Sequence, residues 1–437
     1  MLERQFHLAA SGTTVRTEVL AGVTTFLAMA YIIFVQPAVL GAAGMDQGAV
    51  LVATCLASAF ATLLMAFLAN YPIAVAPAMG HNFFFAFTVV GAGGTPWPVA
   101  LGAVALAGIA FILTAGLGLR ERLIVAVPDS LKHAIGVGIG LLIALIGLQW
   151  CGVVVDAPGT LVGLGDLTTP PVLLAVGTLA LTAVLMARGV RGALLLGMLA
   201  ATGVALAAGL VTFQGVIAPP PSIAPTFLQF DVVGALSPAL IDVVFVFFLL
   251  ALFDSIGTLI GVASRMGLVR NGTMPRARQA LLADAVGTVA GAALGTSTVT
   301  AYVESSTGVA AGGRTGLASA VTAALFLLAL LFHPLVRMIG GGIEAADGVV
   351  LYPIVGPALI LVGVLMMDGV RHIPWDDFSE ALPAFLTLVT MPLAVSITDG
   401  IAFGFISYAV LRIATGRGRQ VDWLVYAFAA LFLVRYA

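Results

Sequence analysis

The sequence predicts an all-α polytopic membrane protein. Its fourteen transmembrane segments form a 7+7 inverted repeat, with short antiparallel β-strands in broken segments three and ten. Three observations predict this. The 437 residues are 61% hydrophobic and only 9% charged, with a mean hydropathy of +1.15, whereas a soluble domain carries about 25% charged residues. Apolar runs near the roughly 20 residues that cross a bilayer recur along the chain in two sets of seven. A Pro-rich connector, IAPPPSIAPTF, cannot form regular helix and separates the sets. An odd number of crossings per set turns the second set upside down.

The first set lies near 17–41, 48–69, 72–91, 97–118, 132–151, 170–188 and 191–213. The second lies near 233–262, 277–294, 296–312, 314–336, 349–368, 378–397 and 399–415. Charge placement fits this count. Arg4, Arg16, Arg120, Arg122, Lys132, Arg188, Arg191, Arg265, Arg270, Arg276, Arg278, Arg412, Arg417 and Arg419 all fall on one side of the membrane. Opposite loops carry Asp46, Asp156, Asp166, Asp231, Glu344 and Asp347, with Arg337 as the exception. Basic loops stay inside, so the N-terminus is expected in the cytoplasm and the chain in the cell membrane, as in a bacterial inner membrane. The last apolar run, Val421 to Val434, is short for a span and reads as an interfacial or re-entrant helix.

The composition also bounds function. A net charge of -2 argues against nucleic acid as a partner. Cys55 and Cys151 do not make a disulfide framework. The N-terminal stretch lacks a signal peptide's apolar core, so the first span is expected to serve as an uncleaved signal. No soluble domain is apparent, which places the activity within the bilayer.

The third segment of each set is irregular. Segment three reads YPIAVAPAMGHNFFFAF, where Pro72 and Pro77 interrupt helix and Gly80-His81-Asn82 opens a new one. Segment ten lies in GTSTVTAYVESSTGVAAGGRTG. Thr296 to Val303 favours extended backbone, and small residues allow a helix from Glu304 onward. The alternative is a Gly/Ser-rich loop outside the membrane, but apolar spans flank the stretch closely on both sides. Irregular backbone at membrane depth survives only where protein buries it or it lines a polar cavity. Matched interruptions in two halves therefore point to a solute site, and their extended parts can hydrogen-bond to each other.

Acids in mid-span sharpen that reading. Asp254 lies far from either end of VVFVFFLLALFDSIGTLIG. An Asp at a helix centre costs roughly 2.5–3.5 kcal/mol on insertion scales, so it should face a polar interior. A structural acid bonded to Ser255 or Thr258 is the alternative. With Glu304 as a second intramembrane acid, either carboxyl is a candidate to carry a coupling proton. Asp284 reads instead as a hydrogen-bonded packing residue.

Asn82 is expected either to cap the segment-three helix or to face the cavity. Of Phe83, Phe84 and Phe85, only one or two can face a cavity. Phe83 or Tyr302 could stack on a planar ligand. His81 reads as a satisfied polar residue, and Arg314 as marking the end of span ten. No metal cluster, HExxH pair or GxSxG elbow is present, so neither a metal nor an enzymatic activity is expected.

The stretches AGVTTFLAMAYIIFVQP, APAMGHNFFFAFTVV, FDSIGTLIG and TAYVESSTGVAAGGRTG resemble the nucleobase:cation symporter superfamily, which includes nucleobase–ascorbate transporters. They are most similar to its azaguanine-type branch, permeases for hypoxanthine, guanine and adenine. The likeness covers nearly the whole chain. It implies a core domain, 1–131 and 233–336, and a gate domain, 132–232 and 337–437. It further implies elevator-type alternating access, a homodimer formed through the gate, no cofactor, and a proton or sodium as coupling ion. By position, Glu304 and Asp254 match the family's substrate-binding acids. Asn82 matches the segment-three asparagine, and Tyr302 and Val303 the residues before the segment-ten acid. The chain departs from the branch at Ala251, where an acid is usual, and at His81 and Phe83; an aromatic at 83 is similar to the uracil permeases. The expected function is proton-coupled uptake of a purine nucleobase, with uracil, xanthine or uric acid as alternatives. An anion transporter of the sulfate-permease type is a same-fold rival, against which the two acids argue. An intramembrane enzyme ranks last.

Overall fold

The computed structural model describes residues 2–117, 127–268, 274–345 and 348–436; Arg120, Arg122, Arg270 and Asp347 lie outside them. Helix occupies each of the fourteen expected segments. Among the described residues, eight helices are long and apolar enough to cross a membrane, and four more are apolar but shorter. The helix Trp423–Tyr436 follows segment fourteen; its Phe428 and Phe432 pack on Phe245 of segment eight and Phe405 of segment fourteen.

The two interrupted segments cross at the centre of the molecule. Strand β1, Val75–Pro77, pairs antiparallel with a partner from segment ten. A surface hairpin, β2 Val154–Ala157 and β3 Leu161–Leu164, turns at Pro158-Gly159. The partner of β1 is β4, Val299–Ala301, in the register Val75 to Ala301 and Pro77 to Val299. A last short pair, β5 Ile343–Glu344 and β6 Val350–Leu351, precedes segment twelve.

A two-stranded ribbon leaves two outer edges whose backbone groups need partners. Two threonines in matching positions supply them. Thr62 of segment two bonds both the N–H and the carbonyl of Val75, at 2.9 and 3.0 Å. Thr288 of segment nine does the same for Val299, at 3.3 and 2.9 Å. Asp284, one turn before Thr288, accepts the Ala301 N–H at 3.2 Å, so it serves the strand edge as expected of a packing acid.

Helices of segments one to four and eight to eleven pack around this ribbon. Segments five, twelve, thirteen and fourteen pack mainly on one another, with segments six and seven at their flank. Segment one breaks at Ala30 and Tyr31, between helices Val15–Met29 and Ile32–Ala42, where the hydrogen bonds tighten to i→i+3 spacing.

A cavity at the crossing of the broken segments

Beside the ribbon lies a cavity of about 310 Å³. One wall comes from segments one, three, eight and ten: Tyr31, Met79, Asp254, Thr300, Tyr302 and Glu304. The opposite wall is apolar apart from Lys132 and comes from Ile135 and Ile139 of segment five and Val362 and Met366 of segment twelve. These wall residues belong to the N-terminal half of segment five and the C-terminal half of segment twelve. The cavity therefore opens toward the end of the molecule that carries Asp129, whose side chain is 84% exposed.

Toward the other end of segment five runs a chain of aromatic rings. Phe83 stacks on Phe87 at 5.4 Å, Phe87 meets Trp150 edge-on at 6.3 Å, and Trp150 lies on Tyr352 at 4.4 Å. The Tyr352 N–H donates to the Trp150 carbonyl at 2.8 Å. The chain of rings bridges segment three to segments five and twelve.

Each acid is held by a hydroxyl. Tyr31, at the break of segment one, donates to Glu304 at 2.8 Å. Thr300 of β4 donates to Asp254 at 2.9 Å, in place of the expected Ser255 or Thr258. The Tyr302 hydroxyl donates to the Pro77 carbonyl at 2.5 Å, which ties the residue after β4 to the backbone of β1. Asp254 is open to the cavity although it lies mid-way along a helix, as the cost of an uncompensated acid there requires. Glu304 stands just before the helix Ser305–Ala310, and Val303 beside it is 57% exposed, into the cavity.

Asp254, Tyr302, Val303 and Glu304 thus share one cavity, and Asn82 and Phe83 are not part of its wall. The segment-three helix starts at Met79 with Ala78 as its cap, so Asn82 sits inside the first turn. About 100° of rotation per residue turns it to the far side. There Asn82 accepts a hydrogen bond from Ser297, which Gln36 also donates to. Phe83 is fully buried, with its ring stacked on Phe87 and outside the cavity wall. His81 corrects a further expectation: both its ring nitrogens are buried and without a partner among the described residues. Arg314 donates to the carbonyls of Val309 and Gly313, where the segment-ten helix ends. Tyr31, Thr300 and Lys132 were not legible as site residues. Tyr31 stands as a polar ring in the apolar run AMAYIIF, and Lys132 is the chain's only lysine; both are signals of a kind.

The placement of Phe83 carries a prediction. Phe83→Ala should lower stability by about 3 kcal/mol, the cost of emptying a packed aromatic site, and leave the order of ligand preference unchanged. Thermal unfolding of purified protein and a competition series check the two halves separately; a reordered series would place the ring in the cavity after all.

Comparison with known proteins decides the family. The pattern described as the Permease family, Xan_ur_permease, matches residues 16–403. The adenine permease AdeP of Escherichia coli (strain K12) is 46% identical over 436 residues, covering 100% of this chain and 96% of that one. The chain belongs to this permease family. The permease is accordingly an integral membrane transporter and not an enzyme. It is also 44% identical to the guanine/hypoxanthine permease PbuO of Bacillus subtilis (strain 168), over 98% of this chain and 99% of the relative. In structure it is similar to the transmembrane domain of a cyanobacterium bicarbonate transporter, BicA. The TM-score is 0.66 at 15% identity, covering 88% of the permease and 97% of that chain. At that identity the likeness shows the shared fold.

Proposed function

We propose that the permease takes up a purine nucleobase together with a proton, holding the base between Glu304 and Asp254. The observation that carries this reading is the pair of carboxylates in one cavity, each oriented by a hydroxyl and facing a largely apolar wall. A neutral heterocycle offers N–H donors to two carboxylates and a flat face to Ile135, Ile139 and Met366. It also offers ring nitrogens to the free N–H groups that open the segment-three helix. Two relatives named as adenine and guanine/hypoxanthine permeases support the same substrate class. An anion would meet two acids in this cavity, so the bicarbonate transporter's substrate does not transfer with its fold.

In this reading the core, 1–131 and 233–336, moves as one body against the gate, 132–232 and 337–437. The ribbon and its threonine clamps keep both half-sites on the core. The open end faces the cytoplasm, where the N-terminus lies, and the ring stack seals the outside. Asp254, reached from the cavity, carries the proton; the gate also forms the contact between two copies.

Proteoliposome uptake of radiolabelled adenine, guanine, hypoxanthine and uracil, with and without an imposed proton gradient, tests the reading. Accumulation of a purine only with the gradient is expected, and indifference to the gradient removes the coupling. A second result follows from Tyr31. Without its hydroxyl Glu304 is no longer aimed, so Tyr31→Phe should weaken base binding on the order of tenfold by calorimetry. Unchanged affinity would mean Glu304 needs no such support.

A further inference from the structure

Which purine the cavity suits depends on where its hydrogen-bond donors remain. Four hydroxyls line it, and the three nearest the acids are committed: Tyr31 to Glu304, Thr300 to Asp254, and Tyr302 to the Pro77 carbonyl. At Asp254 and Glu304 that wall therefore presents carboxylate oxygens, which accept. Across from it stands Lys132, in the first turn of segment five. It is the only lysine among the eighteen Lys and Arg residues of the chain, and among the described residues the only Lys or Arg of the cavity wall.

Its ammonium carries three donors and no acceptor. One is used, by Asp129 at 2.8 Å, three residues earlier on the same helix. The Lys132 side chain is only 20% exposed, while that of Asp129 is 84% exposed. A pair with one partner so open to solvent is weakly held and screened by salt, so the ammonium is free to turn to a ligand. One turn deeper, Gly136 leaves the way clear: a Cβ built there meets nothing within 4 Å.

Resting on the nucleobase reading, we infer that Lys132 determines specificity by donating a hydrogen bond to an exocyclic oxygen of the base, and so selects 6-oxopurines over adenine. Guanine and hypoxanthine place an N–H beside that oxygen, so one edge of the ring serves both walls: the carboxylates accept and the ammonium donates. Adenine presents an amino group at the same position, and an amino group facing an ammonium offers donor against donor. The names of the two relatives, one for adenine and one for guanine/hypoxanthine, leave this choice open.

The test is competition against labelled hypoxanthine uptake by guanine, hypoxanthine, adenine and unsubstituted purine, in wild type, Lys132→Met and Asp129→Asn. In wild type the oxopurines should compete at concentrations about tenfold or more below adenine, the worth of a charge-assisted hydrogen bond. In Lys132→Met that gap should close because the oxopurines weaken while adenine and purine hold. Asp129→Asn, which only frees the ammonium, should keep the gap. A wild type that prefers adenine overturns the inference, as does a gap that survives Lys132→Met or an equal loss for every base. A wild type that takes up hypoxanthine yet shows any of these results leaves the nucleobase reading standing. One that takes up no base ends both.

Discussion

Glu304→Gln should weaken base binding on the order of a hundredfold, the upper range for a hydrogen bond to a charged group. The substitution is nearly isosteric, so folding and membrane insertion should survive. What changes is the sense of the hydrogen bonds. A carboxylate accepts from Tyr31 with one oxygen and keeps the other for the ligand's N–H. A glutamine bonded to Tyr31 through its oxygen presents an amide NH₂ to the ligand, and two donors then face each other. Isothermal calorimetry on purified protein measures the loss, and a matched thermal unfolding profile shows that the site alone was altered. Equal affinities for wild type and variant would remove Glu304 from the binding site.

The second large effect is expected at Asp254, where transport and binding should separate. Asp254→Asn retains a carbonyl oxygen for the Thr300 hydroxyl, so strand β4 keeps its side-chain partner. It has no proton to give or take. Uptake against a concentration gradient should therefore disappear, while exchange of labelled for unlabelled base across the same membrane continues, because exchange needs no net proton movement. Counterflow and accumulation assays on one proteoliposome preparation give both readings. Should the variant still concentrate its substrate with the pH profile of wild type, the proton travels on another group, and Glu304 becomes the candidate.

Much of this architecture is legible in the residues because the bilayer imposes lengths and costs. A run that must cross hydrocarbon needs about 20 apolar residues, so the segments can be counted off before any packing is known. Pro72 and Pro77 forbid continuous helix, and the β-branched run before Glu304 favours strand, so the two breaks are also local properties. Intramembrane acids are costly enough that Asp254 and Glu304 announce themselves. The direction in which a helix faces after a break is a different matter. It depends on where the first turn starts, and a shift of one residue rotates every side chain by about 100°. The start at Met79 carries Asn82 to Ser297 and Phe83 to Phe87. Tyr31 and Lys132 enter the site from helices whose angles are fixed by tertiary contacts, which no single stretch of sequence encodes. The hairpin at 154–164 is marked only by a Pro-Gly turn and escapes a reading organised around spans.

The strand pairing has a consequence for how the protein is made. Ala74 and Ser305, joined by a hydrogen bond at the crossing, are 231 residues apart. A ribosome adding roughly 5–20 residues per second needs on the order of tens of seconds to cover that interval. Throughout it, β1 has been synthesised and β4 has not. Thr62 can serve one edge of the waiting strand, but the edge that β4 will occupy has no partner. Hydrocarbon does not tolerate such an edge, so segment three cannot settle in lipid in its final form when it first emerges. It must wait in a sheltered place, against the neighbouring helices or the insertion machinery, until segment ten arrives. A chain stopped after its seventh segment would thus hold Tyr31 and Pro77 without the Glu304 and Tyr302 that bond to them, and no complete cavity.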